Sequence, residues 1–243
     1  MNVNVTGRQS IIAGVGIVFG LLMLVYVAAA EPDVMSPHSE QFREVANRPA
    51  RALTGEWWQF ILSIPSPENP LLDTTGEKCA VGQRGPVWFL AGTVGAAVTR
   101  TCSIPDRKAL FFPLINIVDV NVATQTAGEL RAEIDPCIDA VTTVSLEVDG
   151  KPVKKLEEKP RRFRVKSKVF EVTLPANNLF GLAPGVYSPV VDDGFYVLLR
   201  PLSVGAHTLR IVGASDGCPI TGGPFGVDVT YNLTIVPVEL DED

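Results

Sequence analysis

The chain has 243 residues, 46% of them apolar, and carries 21 Lys and Arg against 27 Asp and Glu, a net charge of −6. That balance argues against a polybasic nucleic-acid binder, and the apolar share excludes a disordered polymer. Two histidines leave little material for catalysis built on imidazole.

The N-terminus has one charged side chain, Arg8, before an apolar run from Ile11 to Val27 that ends in Ala28-Ala29-Ala30 and Glu31-Pro32. This is the layout of an export signal, with cleavage expected after Ala30. The run is also long enough to span a bilayer, but Glu31 and Asp33 follow it in place of a Lys/Arg stop-transfer cluster. Either outcome places residues 31 onward outside the cytoplasm, in the periplasm or the exterior, and cleavage leaves no membrane span. Removing Arg8 with 1–30 leaves 20 bases and 27 acids, a net charge of −7.

Residues 31–50 hold Pro32, Pro37 and Pro49 among polar residues and read as a linker or loose arm. A single domain is expected over 51–238, followed by an acidic tail, 239–243. Thr54 suits the N-cap of a short helix through Trp57, Trp58 and Leu62, stopped by Pro65. Turn residues dominate to Pro86, after which Val87–Ala91, Ala97–Ile104 and Ala109–Val118 read as a meander of strands. Thr126 and Glu129 have capping-box spacing for a second helix closed by Pro136.

In the second half, Thr143 to Val148 alternates and meets Asp149-Gly150, a hairpin turn. Further strands are expected at Phe170–Leu174, Gly194–Leu199, Ala206–Val212 and Gly226–Val236, the last with Val227, Val229, Tyr231, Leu233 and Ile235 on one face. Many short strands without a βαβ rhythm predict a mainly β, antiparallel two-sheet β-sandwich, jelly-roll or immunoglobulin-like, with one or two short helices.

The four cysteines, Cys79, Cys102, Cys137 and Cys218, all follow the export signal, so two disulfides are expected. Of three pairings, Cys79 with Cys102 and Cys137 with Cys218 is preferred, because the first pair flanks a strand-turn-strand unit. A zinc site is the rival, without Cys-x-x-Cys spacing and with only His38 and His207 to help.

The stretches Trp57-Trp58, residues 69–76 (Asn-Pro-Leu-Leu-Asp-Thr-Thr-Gly), 85–93 (Gly-Pro-Val-Trp-Phe-Leu-Ala-Gly-Thr), 190–196 (Val-Val-Asp-Asp-Gly-Phe-Tyr) and 228–234 (Asp-Val-Thr-Tyr-Asn-Leu-Thr) resemble an uncharacterised family of exported bacterial proteins. The resemblance implies export and a shared fold, and it carries over no catalytic residue.

Four constellations remain as candidate sites. Gly213-Ala214-Ser215-Asp216-Gly217 matches a nucleophile elbow, but no helix can start in the Pro- and Gly-rich residues that follow, and no histidine follows His207. Asp192-Asp193-Gly194 could bind Ca²⁺ or supply half of an acid/base pair for glycan cleavage, against the plainer reading of a turn. Trp57, Trp58 and Trp88, with Tyr196, could stack on a sugar, against the plainer reading of core packing. Lys151 to Lys168 contains nine bases and two acids, and Arg162, Arg164, Lys166 and Lys168 alternate as on one strand face. Such a face suits an anionic glycan, lipid headgroups, nucleic acid (for which motif and overall basic balance are lacking) or another copy's acidic surface, or simply protects a sheet edge. The expectation is a non-enzymatic binding protein whose partner is a glycan or an envelope protein. A carboxylate-based carbohydrate enzyme and a self-associating structural protein are the alternatives.

Overall fold

The computed structural model describes Met1 and residues 32–238; the segment expected to be an export signal and the expected tail 239–243 lie outside the described residues. Two sheets face one another, and a helical layer covers the outer face of the first sheet. The centre of the first sheet is β9 (Gly185–Leu199), antiparallel to β4 (Ala109–Val120), with β2 (Val87–Phe89) parallel to β4 beyond it. Along the other side of β9 run three short strands: β8 (Phe170–Leu174), β7 (Arg164–Lys166) and β1 (Val34–Met35). The second sheet has the order β3 (Val98–Pro105), β11 (Phe225–Val236), β10 (Gly205–Ser215), β5 (Val141–Val148), β6 (Lys151–Pro152).

The chain is mainly β and sandwich-like, as its turn-rich alternation predicts, but each sheet contains one parallel pairing, β2 with β4 and β3 with β11. The expected meander is therefore a correction. β3 and β4 are joined through Asp106, Arg107 and Lys108, with Arg107 at a φ of 61°, and this corner sends consecutive strands into different sheets. A hydropathy pattern fixes which face of a strand is buried, not which sheet it joins.

Sandwiching the first sheet between helices and the second sheet explains its sequence. Residues 190–199 of β9 are buried without interruption, as are 109–115 of β4, because both faces are covered. β3, β10 and β11 alternate instead, with one face on the inter-sheet core and the other toward solvent. The sheets approach closely where β10 crosses β4: a Cβ on Gly213 would collide with the Leu114 carbonyl oxygen and with Ile115.

Residues 31–50 are not a loose arm. Val34, Met35, Phe42 and Ala46 are buried, β1 pairs with β9, and Ser39 caps α1 (Glu40–Ala46) by accepting from the Phe42 amide. The stretch packs with the rest of the domain because Met35, Phe42 and Ala46 join the helical layer and Val34 joins the inter-sheet core. The next helix, α2 (Ala50–Leu62), starts at Pro49, so Thr54 lies inside it and is buried.

The capping box of Thr126 and Glu129 is present in α3 (Ala127–Asp139), but Pro136 lies within this helix. Tertiary contacts carry the chain past the proline: Cys137 is bonded to Cys218, Ile138 is buried, and the Ser215 hydroxyl donates to the Cys137 carbonyl at 2.7 Å. The hairpin at Asp149-Gly150 forms with both residues at positive φ, 52° and 70°. It leads through α4 (Lys154–Glu158) and a 3-10 turn, Pro160–Phe163, back to β7. Both disulfides form in the preferred pairing, Cys79 with Cys102 and Cys137 with Cys218. On the chain-entropy argument each stabilises the fold by about 3 to 4.5 kcal/mol.

Candidate functional site

Asp192 and Asp193 are not in a turn; both lie mid-strand in β9 and are fully buried. Successive residues of a strand face opposite ways, so the two carboxylates enter different layers and cannot share a calcium ion or a substrate. Turn chemistry misleads here because Gly194 serves another purpose: a Cβ there would collide with Asn116 on β4.

Asp192 faces the helical layer. Trp58 Nε1 donates to its Oδ1 at 2.7 Å and the Tyr196 hydroxyl donates to the same oxygen at 2.5 Å, while Asn116 Nδ2 donates to the tyrosine oxygen at 2.8 Å. Thr54 and Trp58, four residues apart on α2, present one helical face to this strand. The second carboxyl oxygen and the Thr54 hydroxyl are buried without a partner. Burial pushes the Asp192 carboxyl up to about 7, against the hydrogen bonds from Tyr196 and Trp58 that favour its charged form. Burial and the facing Asp192 also hold the Tyr196 phenol well above its ordinary value. Trp58, Asp192 and Tyr196 thus meet as the candidate residues of a sugar site should, but in a sealed core.

Asp193 faces the other way and is clamped by Arg164, whose Nη2 lies 2.6 Å from Oδ2 and whose Nε lies 3.1 Å from Oδ1. Burial raises the Asp193 carboxyl and the guanidinium works against it. Burial also works against the charge of Arg164, yet its bonds to Asp193 and Asp139 hold its pKa above the usual value. Lys166 pairs with Asp135 at 2.7 Å, so Asp135 and Asp139, four apart on α3, meet the basic strand β7. The expected four-cation face is accordingly a correction. Pro160 opens a 3-10 turn that takes Arg162 out of the strand, Lys168 lies beyond its end, and Arg164 and Lys166 are neutralised by internal acids.

The tryptophans are core residues. Trp57 is fully buried with Nε1 donating to the Leu90 carbonyl at 3.0 Å, Trp58 crosses it edge to face at 4.9 Å, and Trp88 lies in the inter-sheet core. A residue that carried no sequence signal organises the neighbouring loops. Arg100, 1% exposed, donates to the carbonyls of Leu71, Asp73, Ala91 and Gly92 and to the Tyr231 hydroxyl, over whose ring its guanidinium lies at 5.5 Å. Its alternation in β3 marks an inward position, where an arginine reads as an error unless carbonyls await it. Asp73 braces the same loop: against burial, the amides of Lys78, Thr75 and Gly76 hold its carboxyl below the usual range.

His207 lies near the start of β10. Its Nδ1 lies 2.9 Å from Asp149 Oδ2 and its Nε2 lies 3.1 Å from the Ser203 hydroxyl, the connectivity of a catalytic triad. Nε2 also lies 2.9 Å from the Ser203 main-chain carbonyl, which competes with the hydroxyl for the same ring nitrogen. The trio clamps the hairpin turn to the start of β10, where Asp149 Oδ1 also accepts from the Thr208 amide. Ser215 is no elbow either, being buried at the end of β10 with its hydroxyl on Cys137.

Among the grooves on the surface of the described residues are two of about 910 and 630 Å³. One, of about 910 Å³, lies against Phe60 and Phe89 with Arg48, Glu56, Arg84 and Glu171 around it. The other, of about 630 Å³, runs between β5, the end of α3 and the Lys154–Phe163 segment, over Ile138, Leu156 and Phe195. Both fall in the range that holds small ligands or peptide segments. Among the described residues no cluster of three or more His, Cys, Asp or Glu could hold a metal ion, and no helix is long and apolar enough to cross a membrane. No family model, curated protein or solved structure matches the chain.

Proposed function

We propose that residues 31 onward form an exported, non-enzymatic binding protein of the cell envelope or exterior, within a family of such bacterial proteins. The observation that carries this reading is the sealing of Asp192, Asp193, Trp57, Trp58 and Tyr196. The residues with the chemistry for glycan cleavage hold two layers together and reach no solvent. Two disulfides suit an oxidising compartment. The stretches that resemble the family meet in space, where Arg100 joins 69–76, 85–93 and Tyr231, and Trp58 joins Asp192.

Two measurements test this. Intact mass of the protein recovered from the envelope or medium should show a chain beginning at residue 31 with no free thiol; a chain still starting at Met1 in the cytoplasm would refute export. Asp192→Asn should alter stability and leave a glycan-turnover screen as blank as for the wild type. Turnover by the wild type that disappears in Asp192→Asn at unchanged Tm would establish the enzyme reading instead.

A further inference from the structure

Asp193 meets burial with a guanidinium, whereas Asp192 has no group of opposite charge on its side chain. Its Oδ1 takes both donors, Trp58 Nε1 and the Tyr196 hydroxyl, and its Oδ2 takes none. The Thr54 hydroxyl acts on the same carboxyl and is itself buried without a partner. Two orphan polar atoms thus belong to one contact between α2 and β9. A carboxylate has no proton to offer either of them. A carboxyl protonated on Oδ2 supplies the donor that the Thr54 oxygen lacks.

The surrounding elements bring no cation to this carboxyl. On β9 itself Asp193 adds a like charge from the opposite face, with Arg164 and Lys166 of β7 turned to their own acids. β4 contributes the neutral Asn116, through Tyr196. From α3, Arg131 reaches only main-chain carbonyls, Ser167 at 2.7 Å and Asp192 at 3.5 Å. On α2, Arg51 donates to the Lys166 carbonyl and Glu56 pairs with Arg48. The layer held by this contact is also separable: β1, α1 and α2 are consecutive in the chain, and its strand pairing to the sheet is confined to the two residues of β1. Such a segment can open without breaking the rest of the domain.

We propose that Asp192 is a proton-operated latch: with Oδ2–H donated to Thr54 it closes the layer of β1, α1 and α2 onto the first sheet, and loss of that proton lets the layer open while the second sheet stays folded. Opening uncovers Phe111, Tyr196 and Leu198 on the outer face of the first sheet. The device is independent of what the domain binds. On opening, the solvated carboxyl gives its proton to water. The enclosed carboxyl titrates near 7 and the solvated one near its ordinary 3.8, so opening releases one proton between these limits. The open population should therefore rise by about tenfold per pH unit within them, about fiftyfold from pH 5 to pH 7, and level off above.

Amide hydrogen exchange of the disulfide-bonded protein at pH 5 to pH 8, corrected for the intrinsic pH dependence of exchange, tests the latch. The α2 amides should lose protection about fiftyfold between pH 5 and pH 7, while those of β10 and β11 keep theirs. Asp192→Asn keeps an acceptor for Trp58 and Tyr196 and gives Thr54 a permanent donor, so its α2 protection should not vary with pH. Thr54→Val removes the proton's acceptor and should move the rise to lower pH. If the variants fail to fold, the wild type decides alone: its α2 exchange should level off at the pH where the assigned Asp192 carboxyl carbon titrates by NMR. Constant α2 protection in the wild type, an equal loss in β10 and β11, a pH dependence kept by Asp192→Asn, or a carboxyl midpoint below about pH 5 would each overturn the proposal. A rise moved to higher pH by Thr54→Val would show the hydroxyl serving the charged form, and would overturn it too.

Discussion

Asp192 and Asp193 are neighbours in sequence, and β9 delivers them to two different solutions of the same problem. On the helical side, Asp192 lies among indole, phenol and hydroxyl groups without a cation, and its proton affinity rises. On the other side, Asp193 keeps a two-point bond to Arg164. A buried carboxyl is tolerated either by holding a proton or by holding a guanidinium, and strand alternation alone decided which applies here.

The largest expected effect tests the ion-paired side. Arg164→Ala leaves Asp193 buried without its cation and should cost about 3 to 5 kcal/mol in denaturant unfolding, whereas Arg164→Ala combined with Asp193→Leu should recover much of that. A loss under about 1 kcal/mol for the single change would show that Asp193 is content without its partner.

On the proton-holding side the sign is opposite to that of an ordinary carboxylate. The folded value of Asp192 lies near 7, above the ordinary 3.8, so the native state binds the extra proton between these limits. The stabilisation is complete below about pH 4 and is lost as pH rises through about 7, by up to about 4 kcal/mol for a fully buried group. Unfolding of the wild type and Asp192→Asn at pH 5 and pH 8 measures this: the wild type should lose stability relative to the variant on going from pH 5 to pH 8. Parallel pH curves for the two proteins would contradict the assignment.

Smaller effects follow from the donors. Trp58→Phe removes the Nε1 bond to Asp192 and should cost about 2 kcal/mol while raising the carboxyl further, visible as a steeper fall in stability toward pH 8. Gln83→Ala, which removes the side chain bonded to the Phe89 amide and carbonyl, should cost only about 1 kcal/mol but open the β2 edge, read as earlier-eluting or aggregating protein in size-exclusion runs.

Much of this was legible in the chain. Val227 to Ile235 alternates and lies inward as expected, the capping box at Thr126 forms, and Asp149-Gly150 turns the hairpin. The core nature of the tryptophans followed from their apolar surroundings. What failed did so for physical reasons. Asp192-Asp193-Gly194 carries turn residues, yet Gly194 is there for close contact with Asn116. Arg162 to Lys168 alternates, yet Pro160 and the acids of α3 dismantle the charged face. Residues 31–50 look polar, yet four of their apolar side chains complete a core whose other half lies far along the chain.

By itself the sequence determined the class of fold, the faces of the solvent-facing strands, and the local caps and turns, because each depends on residues within a few positions of one another. The tertiary structure alone decided which sheet each strand joins, that Arg100 would be surrounded by carbonyls, and that Asp192 and Asp193 would part company. It also decided that Asp192 would meet no cation, since buried hydrogen bonds, ion pairs and grooves are made by segments that meet only after the chain has folded.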